Sequence, residues 1–265
     1  MNKEKINNLK KASEWIVDQH IKKKTYCSVP EIYGVESLEV AYLVQEFLID
    51  DWKQVFGPVV GYKLALTSKP IQELVGLNHP CIGRLYKSQV LDSNQMVKLS
   101  NFDHLGIEFE LAVRIGADMP KCSDKWTKES VKDFVKSVSA AFELIDDRSA
   151  NYANLDVNSL VADNSWFGGA IIGEKKENWR QIDFGKAIVK KIVNNQIEIS
   201  STGAALGDPF NSVAWVANFL NDRGDELKDG QIIMTGSTFA TMFPKVGDSI
   251  SYEVSGVGQI KVKIS

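Results

Sequence analysis

Ile107-Glu108-Phe109-Glu110-Leu111-Ala112-Val113-Arg114-Ile115 carries apolar residues at every second position, the period of a strand with one buried face. On its other face Glu108 and Glu110 point the same way, roughly 6–7 Å apart along the strand. Neighbouring carboxylates repel each other, and a cation between them removes that penalty. A third acid, Glu143, stands inside a second apolar run, Ala140-Ala141-Phe142-Glu143-Leu144-Ile145-Asp146, where burial without a partner is unfavourable. Three carboxylates with no His or Cys nearby suit a hard ion, Mg²⁺ or Mn²⁺, better than zinc. The same spacing is also that of a solvated outer face with one satisfied half-buried acid, and spacing alone leaves both readings open.

Other residues could add to such a site. Gly61-Tyr62-Lys63-Leu64-Ala65-Leu66-Thr67-Ser68 places one lysine inside an apolar run and two hydroxyls at its end. Lys63 either snorkels to solvent, stays charged beside anionic groups, or loses its proton readily if buried without them. Thr67 and Ser68 are ligand donors or caps of a helix starting near Pro70. Asp163-Asn164 reads as an Asx turn before Phe167-Gly168-Gly169-Ala170, and Thr235-Gly236-Ser237 as a bend whose amides could meet an anion. No glycine-rich phosphate loop follows any strand, and His20, His79 and His104 are scattered without a nucleophile beside them.

These residues need a scaffold, and 265 residues suffice for one large core without disulfide staples. Helical spacing over 3–24 and 36–53 predicts an N-terminal cap over 1–56, packed on a β-rich core over 57–265. Strand-like runs are Val59 to Leu66, Gly83 to Val90, Ile107 to Ile115, Ala140 to Ile145 and Phe167 to Ile172. They continue as Ala187 to Val193, Gln231 to Met234, Ser249 to Val254 and Gln259 to Ile264. A helix is expected over Asn211 to Leu220, capped by Asn211 or Ser212. Helices fall between only some of the strands, which argues against a doubly wound parallel sheet. The expectation is α+β: a mixed, mostly antiparallel β-roll or barrel with N-terminal and flanking helices.

A net charge of −3 gives no basic surface for nucleic acid. Cys27, Cys81 and Cys122 are too few and too scattered for a disulfide framework or zinc site. No signal-like or membrane-spanning stretch is visible, so the expected setting is the cytoplasm, with no membrane partner.

In their order along the chain, these motifs resemble the 2-oxopent-4-enoate hydratase and 4-oxalocrotonate decarboxylase family, within the fumarylacetoacetate hydrolase superfamily. The segments that carry the resemblance are Gly61 to Lys69, Ile107 to Ala112, Phe142 to Asp146 and Val161 to Asn164. It continues through Gly203 to Pro209, Asn211 to Trp215, Leu227 to Gly230 and Ile233 to Ser237. The resemblance implies the β-roll of the fumarylacetoacetate hydrolase C-terminal type. It implies Glu108, Glu110 and Glu143 as ligands of Mg²⁺ or Mn²⁺, Lys63 as catalytic lysine, and Thr67, Ser68, Asp163 and Ser237 as substrate-binding residues. It further implies a small 2-oxo or 2-hydroxy acid substrate from catabolism after aromatic-ring cleavage. A homo-oligomer is implied too, with room for a partner enzyme of the same pathway. The activity expected is hydration of a 2-hydroxy-2,4-dienoate. Decarboxylation of a 2-oxo-3-enedioate is the alternative, ahead of acylpyruvate hydrolysis or a non-catalytic partner role. Two departures bear on that choice. Pro80-Cys81-Ile82-Gly83 stands where hydratases carry Pro-Asp-x-Gly, and Gly207-Asp208-Pro209 where Gly-His-Pro is common.

Overall fold

Local chemistry sets the ends of the first two helices. In α1 (Lys3–Ile21) the Asn2 side chain accepts a hydrogen bond from Lys5 N at 2.8 Å, and α2 (Leu38–Phe56) follows Ser37 and stops at Gly57. The left-handed φ of +50° at Lys23 marks the end of the first, short of the predicted residue 24. The computed structural model describes residues 2–93 and 96–265; Met1, Asn94 and Gln95 lie outside it.

Strands follow in the order β1 (Val59–Ala65), β2 (Cys81–Tyr86), β3 (Val90–Asp92), β4 (Met96–Val97), β5 (Leu105–Ile115) and β6 (Val135–Asp146). The remainder are β7 (Phe167–Ile172), β8 (Ile188–Val193), β9 (Gln196–Ser201), β10 (Ile232–Met234), β11 (Ser249–Val254) and β12 (Gly258–Ile264). Three helices interrupt them: α3 (Lys69–Leu74), α4 (Val157–Ala162) and α5 (Pro209–Asn221). One sheet has seven strands in the order β2-β1-β10-β5-β6-β7-β3, and the other five in the order β4-β12-β11-β8-β9. The pairs β1–β10, β3–β7 and β4–β12 are parallel and the others antiparallel, so the expected mixed α+β fold is present.

Period-2 alternation in β5 and β6 decides where the chemistry goes. Phe109 and Phe142 are directly paired and meet Tyr252 of β11, with ring centroids 5.8 and 6.4 Å away, in the core between the sheets. Residues one step along the strand must therefore face the other side of the large sheet. Register extends that face across neighbouring strands. Glu108 pairs with Glu143, while Lys63 pairs with Met234 and Met234 with Ala112, two residues from Glu110. Lys63 and the three glutamates consequently share one face, although 80 residues separate the first from the last.

The N-terminal helices pack onto this assembly. Leu9, Ile16, Val44 and Leu48 belong to the same continuous apolar core as the strands. The buried amide of Gln45 donates to Ile82 O at 3.0 Å and Val161 O at 2.7 Å, tying α2 to β2 and α4. No described helix is long and apolar enough to cross a membrane.

Three local expectations change. The strand expected from Gly83 begins at Cys81, because Cys81 and Ile82 already pair with Ala65 and Leu64 of β1. β9 was not anticipated: its residues are almost all exposed, so no one-sided apolar pattern announces it. The Asn194-Asn195 turn before it, with φ of +47° and +71°, is the signal that β8 continues into a hairpin. α5 is capped by Asp208, whose Oδ1 accepts from Phe210 N at 2.8 Å, with Pro209 in the first turn. This assigns Asp208 a structural role. Asp208→Ala is expected to lower stability by about 1 kcal/mol, with Asp208→Asn restoring most of it, as read by urea unfolding.

Candidate metal centre and active site

Strand pairing sets Glu143 of β6 beside Glu108 of β5, and Glu110 stands one pleat further along. One carboxylate oxygen from each lies within 4.8 Å of the other two, the sole such group of metal-ligating side chains among the described residues. Each acid is also anchored from outside the trio. Glu110 accepts from Gly236 N at 2.8 Å, Glu108 from Thr241 Oγ1 at 2.6 Å, and Glu143 Oε1 lies 2.6 Å from Lys63 Nζ. Gly236 makes its contact at φ +99°, and a Cβ there would stand 2.5 Å from the Thr67 side chain.

Glu110 and Glu143 are fully buried, and Glu110 Oε1 and Glu143 Oε2 have no hydrogen-bond partner. Burial raises the Glu110 carboxyl well above its usual range, with Glu143 and Glu108 adding repulsion. Burial likewise pushes Glu143 up, against the opposing pull of Lys63, to about 7. An all-oxygen set with unsatisfied buried oxygens and mutual repulsion fits a hard divalent ion.

Burial alone would push Lys63 down, but Glu143, with Glu108 and Glu110 behind it, outweighs this and holds the amine above its ordinary value. Of the states the sequence allowed, these surroundings favour the charged one. Lys63 Nζ also donates to Ser165 O at 2.8 Å. Gly83, paired with Lys63, makes room for that reach: a Cβ at 83 would lie 3.1 Å from Lys63 Cγ and 2.9 Å from Asn164 O.

Ser165 belongs to a strained turn. Asn164, Ser165 and Trp166 are all left-handed, with φ of +48°, +49° and +59°. Two anchors hold it in place. The Asn164 amide accepts from Arg84 N at 2.7 Å and donates to Arg84 O at 3.0 Å. Just before the turn, buried Asp163 is paired with Arg148 and lies 2.6 Å from His20 Nε2.

Lys63, Glu108, Thr67, Ser68, Ser165 and Ser237 line a cavity of about 460 Å³. Asp163, expected among substrate-binding residues, does not line it. Its carboxylate is committed to Arg148 and His20 behind the turn. Ser237 is present but its hydroxyl is engaged, donating to Phe239 O and accepting from Phe109 N. Cys81 is fully buried, is not part of the lining, and burial pushes its thiol up to about 11.

Sequence reasoning overlooked Ser165, Thr241, Arg148 and Tyr152, and read His20 only as one of the scattered histidines. Ser165 acts through its carbonyl, which carries no residue-type signal, and Thr241 sits in an irregular segment. His104, read as scattered, has Nδ1 2.6 Å from Asp147 Oδ1, while the hydroxyl of cavity-lining Tyr152 donates to Asp147 Oδ2 at 2.9 Å. Nothing in the spacing of those three residues foretells their meeting.

Relatives show the same arrangement of chain. Residues 68–265 match the family described as fumarylacetoacetate (FAA) hydrolase C-terminal. A 4-oxalocrotonate decarboxylase of Pseudomonas putida is 30% identical over 226 residues, 84% of either chain. A 2-keto-4-pentenoate hydratase of Paraburkholderia xenovorans is 27% identical over 230 residues, 86% of this chain and 84% of the relative. The solved 4-oxalocrotonate decarboxylase from Pseudomonas putida G7, complexed with magnesium and adipate, is 26% identical. It superimposes with a TM-score of 0.88, covering 100% of this chain and 99% of that one. The family resemblance carried by the motifs is thereby borne out: this chain belongs to the fumarylacetoacetate hydrolase family.

Proposed function

We propose that this protein is a divalent-metal-dependent hydratase that adds water to a 2-hydroxy-2,4-dienoate, giving a 4-hydroxy-2-oxo acid. The observation that carries this is the convergence of three carboxylates, two of them fully buried, beside a charged buried lysine at the head of a cavity. Relatives named as hydratases support it, among them a 2-hydroxyhexa-2,4-dienoate hydratase of Comamonas testosteroni, 28% identical over 210 residues.

Glu108, Glu110 and Glu143 would hold the ion, Mg²⁺ or Mn²⁺. When bound, the ion supplies Lewis-acid stabilisation of negative charge developing on the substrate's 2-oxygen. Lys63 brings a second positive charge to the same end of the cavity, where it holds the substrate carboxylate or delivers a proton. Ser165 O and Glu143 fix the direction of its amine, so the strained turn serves to orient that group. Thr67, Ser68 and Ser237 border the head of the site, and Trp166 and Phe239 limit water from the apolar side. The exposed Ile197 and Ile199 on edge strand β9 support assembly into a homo-oligomer.

A second reading, decarboxylation of a 2-oxo-3-enedioate, is favoured by the match to solved decarboxylases over the whole chain. It is favoured too by Cys81, whose high-pKa buried thiol supplies no base for water. Incubation with Mg²⁺ and each substrate separates the two. Loss of the dienoate chromophore with uptake of water is expected, and CO₂ release without hydration would replace the first reading with the second.

Glu110→Gln is expected to weaken Mg²⁺ binding by more than about 100-fold, measured by calorimetry. Lys63→Ala, assayed at saturating Mg²⁺, should lower kcat by about 10²–10⁴-fold while circular dichroism stays unchanged. The metal's effect on stability should depend on pH. Glu110 and Glu143 both have raised folded-state pKa values; the contribution of Glu143 to metal-free stability is present below the ordinary 4.5 and lost as pH rises through about 7, and that of Glu110 is lost in the same direction. An ion binds the ionised forms, so the Mg²⁺-induced rise in Tm should be small near about pH 5 and large near about pH 8. A pH-independent rise would place the ion elsewhere.

A further inference from the structure

The cavity lining is of two chemical kinds, and the side that carries Lys63 and Glu108 is its head. Its head holds Lys63, Glu108, Ser165, Ser237 and Thr241. Elsewhere its wall is built from Leu66, Ile145, Leu155, Leu160 and Trp166, with Tyr152 beside them. Ile145, Leu160 and Trp166 form a small buried apolar cluster beside the main core, with Tyr152, Leu155 and Leu66 packed against it and Leu66 touching the main core as well. A second cluster that packs around a void instead of filling it is a surface awaiting an apolar occupant. Among the described residues lining the cavity, Lys63 is the only cation, and it is already engaged with Glu143 and Ser165 O at the head. A carboxylate placed against the apolar wall would meet no positive partner and would be desolvated against hydrocarbon. The volume of about 460 Å³ falls within the range of roughly 300–1,000 Å³ typical of sites for drug-sized ligands, larger than an oxo-acid head requires.

We infer that the substrate's end remote from its 2-oxo acid head is an uncharged hydrocarbon tail seated against Leu66, Ile145, Leu155, Leu160 and Trp166. The inference rests on the reading above that the three glutamates and Lys63 take the head. It specifies the tail, which that reading leaves open between alkyl and carboxylate. The site thus selects monocarboxylic over dicarboxylic 2-oxo acids of equal length.

The test is a calorimetric series on the whole protein with Mg²⁺, using 2-oxobutanoate, 2-oxopentanoate, 2-oxohexanoate and 2-oxoheptanoate, with 2-oxoadipate as the dicarboxylate, one carbon shorter than the last and matched to it in reach by its terminal oxygen. Affinity is expected to rise about three- to four-fold per methylene until the wall is covered. 2-Oxoheptanoate should bind at least about ten-fold tighter than 2-oxoadipate. Leu155→Arg, at a half-buried wall position, should reverse that order, and the wild-type series decides the matter if this variant does not fold. Length-independent binding, or 2-oxoadipate binding as well as 2-oxoheptanoate, overturns the tail assignment and leaves the metal site standing. Failure of every 2-oxo acid to bind in the presence of Mg²⁺ overturns the reading of the head, and the inference with it.

Discussion

Three carboxylates packed against each other inside a sheet are unstable as a set, and much of the local structure answers that instability. Glu110 and Glu143 have no exposure, and Glu108 is paired with Glu143 across β5 and β6. In water such acids would each carry a charge. Here burial and repulsion drive Glu110 and Glu143 toward the protonated form, opposed by the Gly236 N–H at Glu110 and by positive charge at both. Lys63 supplies one such charge at 2.6 Å. A divalent ion would supply more, and it would satisfy the oxygens left without hydrogen-bond partners.

The requirement that Lys63 stay in place links this centre to distant parts of the chain. Its amine needs a second acceptor, and Ser165 O provides one only because three successive residues adopt left-handed backbone. Such a turn persists only where its surroundings over-determine it. Arg148 and His20 grip Asp163 on one side, and the Asn164 amide bonds both backbone groups of Arg84 on the other. α1 therefore contributes, through His20, to the geometry of a lysine in β1. The N-terminal helices are part of the site's support, beyond covering its back.

Hydration and decarboxylation can share such a scaffold because both develop charge on the same oxygen, which the same centre stabilises. What separates them lies away from the glutamates, in the groups around the reacting tail. Cys81, the first residue of β2, is buried outside the cavity lining, and Asp208 caps α5. Neither departure from the hydratase pattern disturbs the cluster of three glutamates.

Much of this was legible before any coordinates. Period-2 alternation in 107–115 put Glu108 and Glu110 on the face opposite Phe109, and helical spacing located α1 and α2, because these patterns depend only on which neighbours are apolar. The hydrogen-bonded register between strands was not legible: whether Glu143 stands beside Glu108 depends on pairing, and a one-residue slip would have sent it to the other face. For the same reason the charge state of Lys63 was open until its neighbours were known. Asp163 shows the limit in the other direction. The family resemblance implied a substrate contact for it, yet the fold turned its carboxylate toward Arg148 and His20 and left it out of the cavity lining. Residue types and periodicity thus determined which groups could do chemistry and which face they occupy. Only the tertiary structure decided which of them meet, because that depends on strand register and backbone direction between residues far apart in the chain.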